Sequence, residues 1–491
     1  MHIPPEWKTQ ECAAQAEAAL LETANFALQV LQLAERPVCL WFPRPQVAAP
    51  ARPLLRLVNA RDCRRTAWVQ VFYKGGLIGE LDVRIPAQWA SFVLDMSEVL
   101  GQNPSAWPEV LELEVSAREN PVGLVDSLQP GPLPALLVGD GQRLGPTSAW
   151  MAVPVVTVSP LQRMLDEFLL RGAATDYLGW MIGCTTTGLC NLHQTTGEAP
   201  YLQALRQRLA GVGEGLPLEG REGRGEVVEE PGYIDLINQK LESFAPVAAL
   251  AYLQQVQPTP ERAQLLRALG RQMLETASLE RDFLTTEGCF TLAFPLAACA
   301  TVLGEHAWWA VAWQECARRW DFLYRGDLVL QRAYHDGRSY MVNWSRGTAW
   351  LVLGTVQTAL QLPSGYPGRA ELASRLTRMA PLLLRQQRPD GLWSVFTDQP
   401  NLPAETSGSA GIAAGLALAA RAGWLGTEAL QAAQRCAQGL AGFLEPDGCL
   451  GGVSQHNPAS EVALQTHYRI RAAWGTGLYA QLIAALRGHV V

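Results

Sequence analysis

The chain has 491 residues, of which 48% are hydrophobic and 17% are charged, and its formal net charge is −7. This length exceeds what one ordinary core holds, so more than one domain is expected, and the apolar content excludes a disordered chain. An acidic balance argues against a nucleic-acid partner, because binding a phosphate backbone requires a basic surface.

Ten cysteines are scattered along the chain without a C-x-x-C pair. This pattern predicts reduced thiols and no zinc site. The segment Met1–Lys8 lacks a basic region followed by an apolar stretch, so no signal peptide is expected and the predicted location is the cytoplasm. The longest uncharged apolar stretch, residues 288–304, contains Pro295 and is short for a membrane span, so it predicts a buried helix.

The first 158 residues contain two stretches with different residue patterns. Residues 10–34 are rich in Ala, Leu, Glu and Gln with helical spacing of the apolar positions, which predicts an N-terminal helix within a segment 1–36. Residues 37–158 contain strand-like runs, a turn at Lys74-Gly75-Gly76 and a Pro- and Gly-rich loop over 121–146. The strand-like runs are Leu54–Leu57, Ala67–Tyr73, Leu81–Ile85, Ser91–Leu94 and Val110–Val115.

These runs predict a small antiparallel β-sandwich over residues 37–158. A carbohydrate-binding role and a purely structural packing role both remain open for it.

Residues 159–491 are dominated by Ala- and Leu-rich helical segments. Short Gly-containing turns at 196–201, 303–308 and 423–426 each end one helix and begin the next. The spacing predicts stacked helix hairpins that bury their apolar faces against one another, and too few strand signals remain for an α/β barrel.

Four short segments in this half carry a more specific pattern. They are Trp344-Ser345-Arg346-Gly347-Thr348-Ala349-Trp350, Gln387-Arg388-Pro389-Asp390-Gly391-Leu392-Trp393, Glu405-Thr406-Ser407-Gly408-Ser409-Ala410 and Trp474-Gly475-Thr476-Gly477. In these segments and their order, the chain from about residue 160 to 490 resembles the unsaturated glucuronyl and rhamnogalacturonyl hydrolases, glycoside hydrolase families 88 and 105.

The resemblance implies a mainly α fold, an (α/α) six-hairpin barrel, here preceded by the small N-terminal β-sandwich-like domain. It also implies removal of a 4,5-unsaturated uronic acid from the end of an oligosaccharide. In these families an aspartate protonates the double bond and activates water, and no cofactor is needed. The implied partner is an oligosaccharide.

The same resemblance suggests a substrate pocket lined by Trp344, Arg346, Trp350 and Ser407. Arg346 and Trp350 are four residues apart on a predicted helix, so they share one face. A guanidinium can clamp a uronate carboxylate and an indole can stack on a sugar. Spacing alone also fits an arginine in a buried ion pair beside a core tryptophan, and Ser407 also fits a helix cap.

Asp235, in Tyr233-Ile234-Asp235-Leu236-Ile237-Asn238, matches an active-site aspartate that precedes a helix in the family. We therefore take Asp235 as a catalytic candidate. An exposed helix cap is the alternative, and the residues that follow depart from the family pattern.

The position of the proton-donating aspartate departs from the family. It falls on Phe290 or, with a slip of one residue, on Cys289. Glu287 is the catalytic candidate in its place, since apolar neighbours raise the pKa of a carboxyl group toward that of a general acid. Asp282 is a second carboxylate nearby, and His335 could replace the family's histidine expected near Gln331.

Three functions remain open. The first is a glycoside hydrolase that acts on unsaturated uronate oligosaccharides, with Asp235 and Glu287 as acid and base. The second is a catalytically degenerate barrel that binds a glycan or acts as a scaffold in polysaccharide metabolism. The third is a sugar epimerase, which needs acid/base groups on both ring faces and could enlist Tyr233, His335 and His456.

Overall fold

The computed structural model describes most of the helical half and parts of the N-terminal half. The described residues are 18–23, 26–33, 35–45, 51–58, 67–83, 91–119, 135–139, 149–154, 161, 169–170, 179–209, 241–279, 282–455 and 461–488.

The N-terminal half is built of antiparallel strands, as predicted. The described strands form three sheets, ordered β1-β2-β9, β10-β4-β7 and β3-β8-β5-β6. The strands are β1 Ala18–Thr23, β2 Phe26–Gln32, β3 Val38–Pro43, β4 Ala51–Val58, β5 Ala67–Tyr73, β6 Gly76–Val83, β7 Ser91–Asp95, β8 Val110–Glu119, β9 Ala135–Gly139 and β10 Ala149–Pro154. Short helices α1 Ser97–Leu100 and Pro104–Ala106 link β7 to β8.

The β5–β6 hairpin shows why the strand predictions hold. Lys74 and Gly75 have φ of 50° and 77°, the left-handed pair that a two-residue hairpin turn requires. Glycine adopts that conformation without steric cost, so the Lys74-Gly75-Gly76 sequence fixes the turn.

Two predictions for this half are wrong where the structure describes the chain. The expected helix over residues 10–34 is instead the antiparallel pair β1–β2, and β9 lies inside the expected loop over 121–146. Ala- and Leu-rich composition favours a helix locally, but β2 pairs with β9 over residues 28–32 and with β1 on its other side. Tertiary pairing therefore overrides the helix propensity.

The C-terminal half consists of helices with one small sheet inserted. The described helices are α2 Trp180–Thr196, α3 Ala199–Leu209, α4 Val247–Val256, α5 Pro260–Ser278, α6 Phe294–Leu303, α7 Ala307–Leu323, α8 Ser345–Gln361, α9 Pro367–Gln386, α10 Thr406–Arg421, α11 Thr427–Ala441, α12 Glu461–Gln465 and α13 Ala473–Leu486. The inserted strands are β11 Phe283–Thr285, β12 Tyr324–Arg325, β13 Leu328–Tyr334 and β14 Ser339–Val342.

Six of these helices close a ring. In the order α2, α4, α6, α8, α10 and α13, each contacts the next, and α13 contacts α2. Helices α3, α5, α7, α9 and α11 return along the outside of the ring. The described residues thus form the (α/α) barrel that the sequence predicts, and the three predicted Gly-containing turns connect α2 to α3, α6 to α7 and α10 to α11.

The ring closes through small residues on the inner helices. A Cβ atom on Gly477 of α13 would lie 2.5 Å from backbone atoms of Cys184 and Thr185 on α2. A Cβ on Gly354 of α8 would likewise overlap the backbone of Cys289 and Phe290. Glycine is therefore required at these positions because no side chain fits between the backbones.

The apolar stretch 288–304 is a buried inner helix rather than a membrane span. It forms a π-helical turn, Cys289–Ala293, that continues into α6. None of the described helices combines the length and apolar character needed to cross a bilayer. The described cysteines are all free thiols, and all except Cys39 are buried.

The motif around Asp390 is a structural turn. Asp390 accepts a hydrogen bond from the backbone N–H of Leu392, and Gly391 has a φ of 83°. The indole of Trp393 donates to the carbonyl of Leu383, which ties the turn to the outer helix α9.

A buried ion pair joins the β-rich half to the barrel. Nη2 of Arg56, on β4, lies 2.6 Å from Oδ2 of Asp447, and each side chain is 2% exposed. Asp447 lies in the loop between α11 and α12, and its other oxygen accepts from the backbone N–H of Cys449. The hydroxyl of Tyr468 also donates to the carbonyl of Asp82. The β-rich half is therefore fastened to the barrel loops.

We predict that Arg56→Met lowers the free energy of unfolding by about 3–5 kcal/mol, because it leaves the Asp447 carboxylate buried and uncompensated. Arg52→Met removes the exposed Arg52–Asp95 pair on the same strand and should cost less than about 1 kcal/mol. Chemical denaturation measures both. Equal losses for the two variants would show that the buried pair does not join the two halves.

Candidate active site

The candidate site lies at the N-terminal ends of the inner helices. Each of the first five inner helices is followed by an outer helix that runs back, so all six inner helices begin at the same end of the barrel. The sheet β11–β13–β14 and the loop before α12 lie at this end. Glu287, Arg346 and Glu405 all belong to segments that begin inner helices there.

Glu287 is held between β11 and the π-helical turn that begins α6. It is 6% exposed, and its Oε1 accepts a hydrogen bond of 2.7 Å from Nε2 of Gln331 on β13. The backbone N–H of Thr286 donates to the carbonyl of Gln331, which fixes this register. The guanidinium of Arg319, on the outer helix α7, donates a hydrogen bond to the carbonyl of Thr285. The carboxylate predicted from the sequence is therefore rigidly placed.

A second carboxylate, Glu242, lies close to Glu287, and we did not predict it from the sequence. The pKa of Glu242 is raised from 4.5 to about 8, first by burial and then by the charge of Glu287, and the positive charge of Arg332 opposes both effects. The residue as a whole keeps some exposure, but protein atoms surround its carboxyl group. At neutral pH, Glu242 is therefore mostly protonated.

Arg332, on β13, supplies positive charge beside these two carboxylates. Its guanidinium carbon lies 4.6 Å from the centre of the Phe283 ring. Its buried Nε has no hydrogen-bond partner among the described residues. A buried donor without a partner costs about 1–3 kcal/mol, so an acceptor that reached Arg332 would be bound favourably.

Three further buried donors at this end also lack partners in the described part of the chain. They are Nδ2 of Asn343 and the indole N–H groups of Trp344 and Trp474. All are donors, so they are the complement of an acceptor-rich ligand such as a carboxylate or a sugar ring. Trp344, predicted as a pocket residue, is among them.

Arg346 lies in a buried network with Glu405. It is 1% exposed, its Nη2 donates to the carbonyl of Gln455 at 2.6 Å, and its Nη1 donates to the carbonyl of Ser454 at 2.8 Å. Nη1 lies 3.8 Å from Oε1 of Glu405. Burial lowers the pKa of Arg346 to about 10, against the opposing charge of Glu405, so the guanidinium stays charged at neutral pH.

Ser407 belongs to the same network. Its hydroxyl donates to Oε1 of Glu405 at 2.6 Å and accepts from Nη1 of Arg346 at 3.2 Å. The side chain that caps α10 is Glu405, which accepts from the backbone N–H groups of Ser407 and Gly408. Ser407 thus links the arginine to the cap.

The chain is strained where it enters α8. Met341 and Asn343 have φ of 49° and 59°, the left-handed region that costs a non-glycine residue about 1–2 kcal/mol. Hydrogen bonds between Asn343 and Val329 hold the conformation. Such strain persists where the surrounding structure imposes it, often at functional sites. Here it places Trp344 under the Arg346 guanidinium, 4.4 Å from the ring centre.

An aromatic cluster fills the barrel axis below these residues. Trp350 is 2% exposed, and its ring centre lies 5.5 Å from Trp180 and 5.1 Å from Phe290. Trp474 packs on Trp180 at 5.4 Å. Trp350 therefore packs one helical turn deeper than Arg346, among core aromatic rings.

The remaining predicted residues lie elsewhere. His335 is exposed at the β13–β14 turn, where its ring lies 4.8 Å from that of Phe322. It is four residues beyond Gln331 along the strand, about 13 Å from the Glu287 contact. Asp235, Tyr233 and His456 lie outside the described residues, and their roles stay predictions. The residues that the structure does describe contain no cluster of three or more His, Cys, Asp or Glu suited to a metal ion.

Solved structures share the barrel. A possible member of family GH105 from Salmonella enterica subsp. enterica serovar Paratyphi A str. ATCC 9150 superposes with a TM-score of 0.56 at 16% identity, over 68% of this chain and 96% of its own. A glycosyl hydrolase family 88 protein from Bacteroides vulgatus gives a TM-score of 0.53 at 16% identity, over 67% and 99%. At this identity the likeness shows the fold.

Curated relatives match a shorter segment. "Protein Atu3128" from Agrobacterium fabrum (strain C58 / ATCC 33970) and the "24.9 kDa protein in picA locus" from Rhizobium radiobacter are each 38% identical over 106 residues. The match covers 21% of this chain, and the chain spans 45% of the length of each relative.

The family model described as Glycosyl Hydrolase Family 88 matches residues 161–487, which is more than half of the chain. The match begins near the predicted domain boundary at residue 159 and ends at the last inner helix, so it covers the whole described barrel. The chain belongs to glycosyl hydrolase family 88.

Proposed function

We propose that this chain removes a terminal unsaturated uronic acid from oligosaccharides by acid/base hydration, with Glu242 and Glu287 as the reacting carboxyl groups. The observation that carries the proposal is the raised pKa of Glu242 beside Glu287 and Arg332, in a barrel of this family. A carboxyl group that is protonated at neutral pH, with a second carboxyl group beside it, is an arrangement suited to acid/base catalysis.

The chemistry assigns a role to each group. A 4,5-unsaturated uronate is an enol ether, so Glu242 donates its proton to C4 and positive charge develops at C5, where the ring oxygen stabilises it. Glu287 accepts a proton from the water that adds to C5. The resulting hemiketal opens, the exposed hemiacetal at C1 collapses, and the shortened oligosaccharide leaves.

The substrate carboxylate fits the unpartnered donors. Arg332 lies beside the reacting carboxyl groups and offers a free Nε–H, so we assign it to the uronate carboxylate. The N–H groups of Asn343 and Trp344 can donate to ring and hydroxyl oxygens. We assign Arg346 a structural role in the wall of the pocket, because its guanidinium already donates to the carbonyls of Ser454 and Gln455.

Two contacts favour the alternative of a glycan-binding barrel without this chemistry. Phe290 stands where the resemblance expects the aspartate, and its ring packs on Trp350. Arg346 also already donates from Nη1 and Nη2 to the carbonyls of Ser454 and Gln455. Such a barrel would bind a uronate oligosaccharide through Arg332 and leave it unchanged.

Turnover of lyase-generated unsaturated uronate oligosaccharides, followed by loss of the absorbance of the double bond, tests the proposal. Glu242→Gln and Glu287→Gln should each lower kcat/KM by about 100-fold to 10,000-fold, because each removes one proton-transfer group. The matched control is Glu275→Gln, on the exposed face of the outer helix α5, which should keep wild-type activity. Asp235→Asn tests the remaining sequence candidate.

A folded wild-type protein that binds these oligosaccharides without turnover would support the glycan-binding alternative. Turnover that survives both Glu242→Gln and Glu287→Gln would place the acid elsewhere and overturn the assignment.

The pH dependence of stability gives a second prediction. Between its unfolded pKa near 4.5 and its folded pKa of about 8, Glu242 binds more proton in the folded state, so it lowers stability progressively as pH rises through this window. Relative to wild type, Glu242→Gln should become more stable over the same window and reach a plateau above it.

Urea denaturation at a series of pH values, with Glu275→Gln alongside, measures this difference. A constant difference between Glu242→Gln and wild type from about pH 5 to about pH 9 would mean that Glu242 titrates normally.

A further inference from the structure

A cavity opens at the end of the barrel opposite the candidate active site. Its volume is about 390 Å³, within the range of about 300–1,000 Å³ typical of small-molecule sites. It lies among the C-terminal ends of α2, α4, α6 and α8, where Gln361 is the last residue of α8. Arg346 is fifteen residues earlier on that helix, so the two ends are separated by about 22 Å.

The aromatic cluster separates this cavity from the candidate active site. Phe294, which lines the cavity, packs against Phe290, and Phe290 packs against Trp350. A ligand in the cavity therefore does not touch Glu242 or Glu287.

The cavity has a buried floor and a polar, exposed rim. Thr187, Ala249, Phe294 and Ala298 line it and are all buried. Side-chain amides surround the opening, where they can donate to and accept from a ligand. The exposed or partly exposed rim residues are Gln194, Gln255, Thr301 and Gln361.

The lining carries no Asp, Glu, Lys, Arg or His. The lining does contain the phenol group of Tyr252. Burial raises the pKa of Tyr252, so this side chain stays neutral. His193, next to the wall, shares a 2.5 Å hydrogen bond with the Tyr252 hydroxyl, and burial lowers the pKa of His193. The wall is thus uncharged at neutral pH.

The C-termini of four helices influence which ligand charge the cavity favours. They place carbonyl groups and partial negative charge around the opening. An anion is therefore disfavoured there, whereas a neutral ligand that brings hydroxyl donors is favoured. The substrate of the proposed reaction carries a carboxylate, so its unsaturated ring does not suit this cavity.

Thr187 offers a hydroxyl group at the cavity wall. Its Oγ1 is buried at the cavity wall and has no hydrogen-bond partner among the described residues. The preceding threonines of the same helix, Thr185 and Thr186, both donate to the carbonyl of Ile182. Of the three threonines, Thr187 is the one that lines the cavity, and its hydroxyl has no hydrogen-bond partner among the described residues.

We propose that this cavity binds a neutral, hydroxyl-rich ligand of about one sugar ring, such as an uncharged monosaccharide or the uncharged end of an oligosaccharide. The Phe294 and Tyr252 rings would pack on the apolar face of the ring, the amide groups of the rim would pair with its hydroxyls, and one hydroxyl would meet Thr187.

Saturation-transfer NMR titrations of the full chain with glucose, galactose, rhamnose and N-acetylglucosamine test the site, with glucuronate as the anionic probe. We expect at least one neutral sugar to bind with a millimolar Kd, and glucuronate to bind at least about tenfold more weakly than it. Thr187→Val, which keeps the shape and removes the hydroxyl, should weaken binding about twofold to tenfold.

Ala298→Phe fills the cavity and should abolish binding, while Thr377→Val, on the exposed face of α9, should leave it unchanged. Binding should persist in Glu287→Gln, so the result does not depend on the hydrolase proposal. Failure of every neutral sugar to bind at about 100 mM, equally tight glucuronate binding that Ala298→Phe abolishes, or the same affinity in Thr187→Val would overturn the proposal.

Discussion

The close approach of the inner helices is the constraint on which the rest of the barrel depends. Where α13 meets α2 and where α8 meets the turn before α6, backbone lies against backbone with glycine at the contact. Ala- and Gly-rich helices are therefore a requirement of ring closure. In so tight a ring, a few large side chains fill the space along the axis. The aromatic cluster around Trp350 occupies this space and separates the two ends of the barrel.

The two ends differ in electrostatic character because all the inner helices run the same way. The N-terminal end gathers the charged groups, with two carboxylates and Arg332 near one another and the Arg346–Glu405 pair buried beside them. The loop that receives Arg346 is the one that Asp447 ties to the β-rich half. That half therefore supports the candidate active site, a role that supplements the packing function the sequence left open.

Local signals in the sequence predicted the antiparallel strands, the turns and the stacked helix hairpins, and the resemblance to the hydrolase families implied the barrel. They missed β1, β2 and β9, because those strands depend on partners distant in the chain. They also missed Glu242, since its raised pKa arises from burial and from Glu287, neither of which has a local signature. Glu287 was proposed from the sequence because it lies close to the position where the family has its aspartate. The cytoplasmic location and Asp235 stay predictions.

The central claim is that one carboxyl group of this barrel is protonated at neutral pH. A titration of side-chain carboxyl ¹³C shifts in protein labelled at glutamate, with Glu242→Gln for assignment, tests it most directly. The account predicts one glutamate resonance that titrates near pH 8 and is missing from the variant. If every glutamate resonance completes its titration below about pH 6, Glu242 is not the acid and the paired-carboxylate site is contradicted.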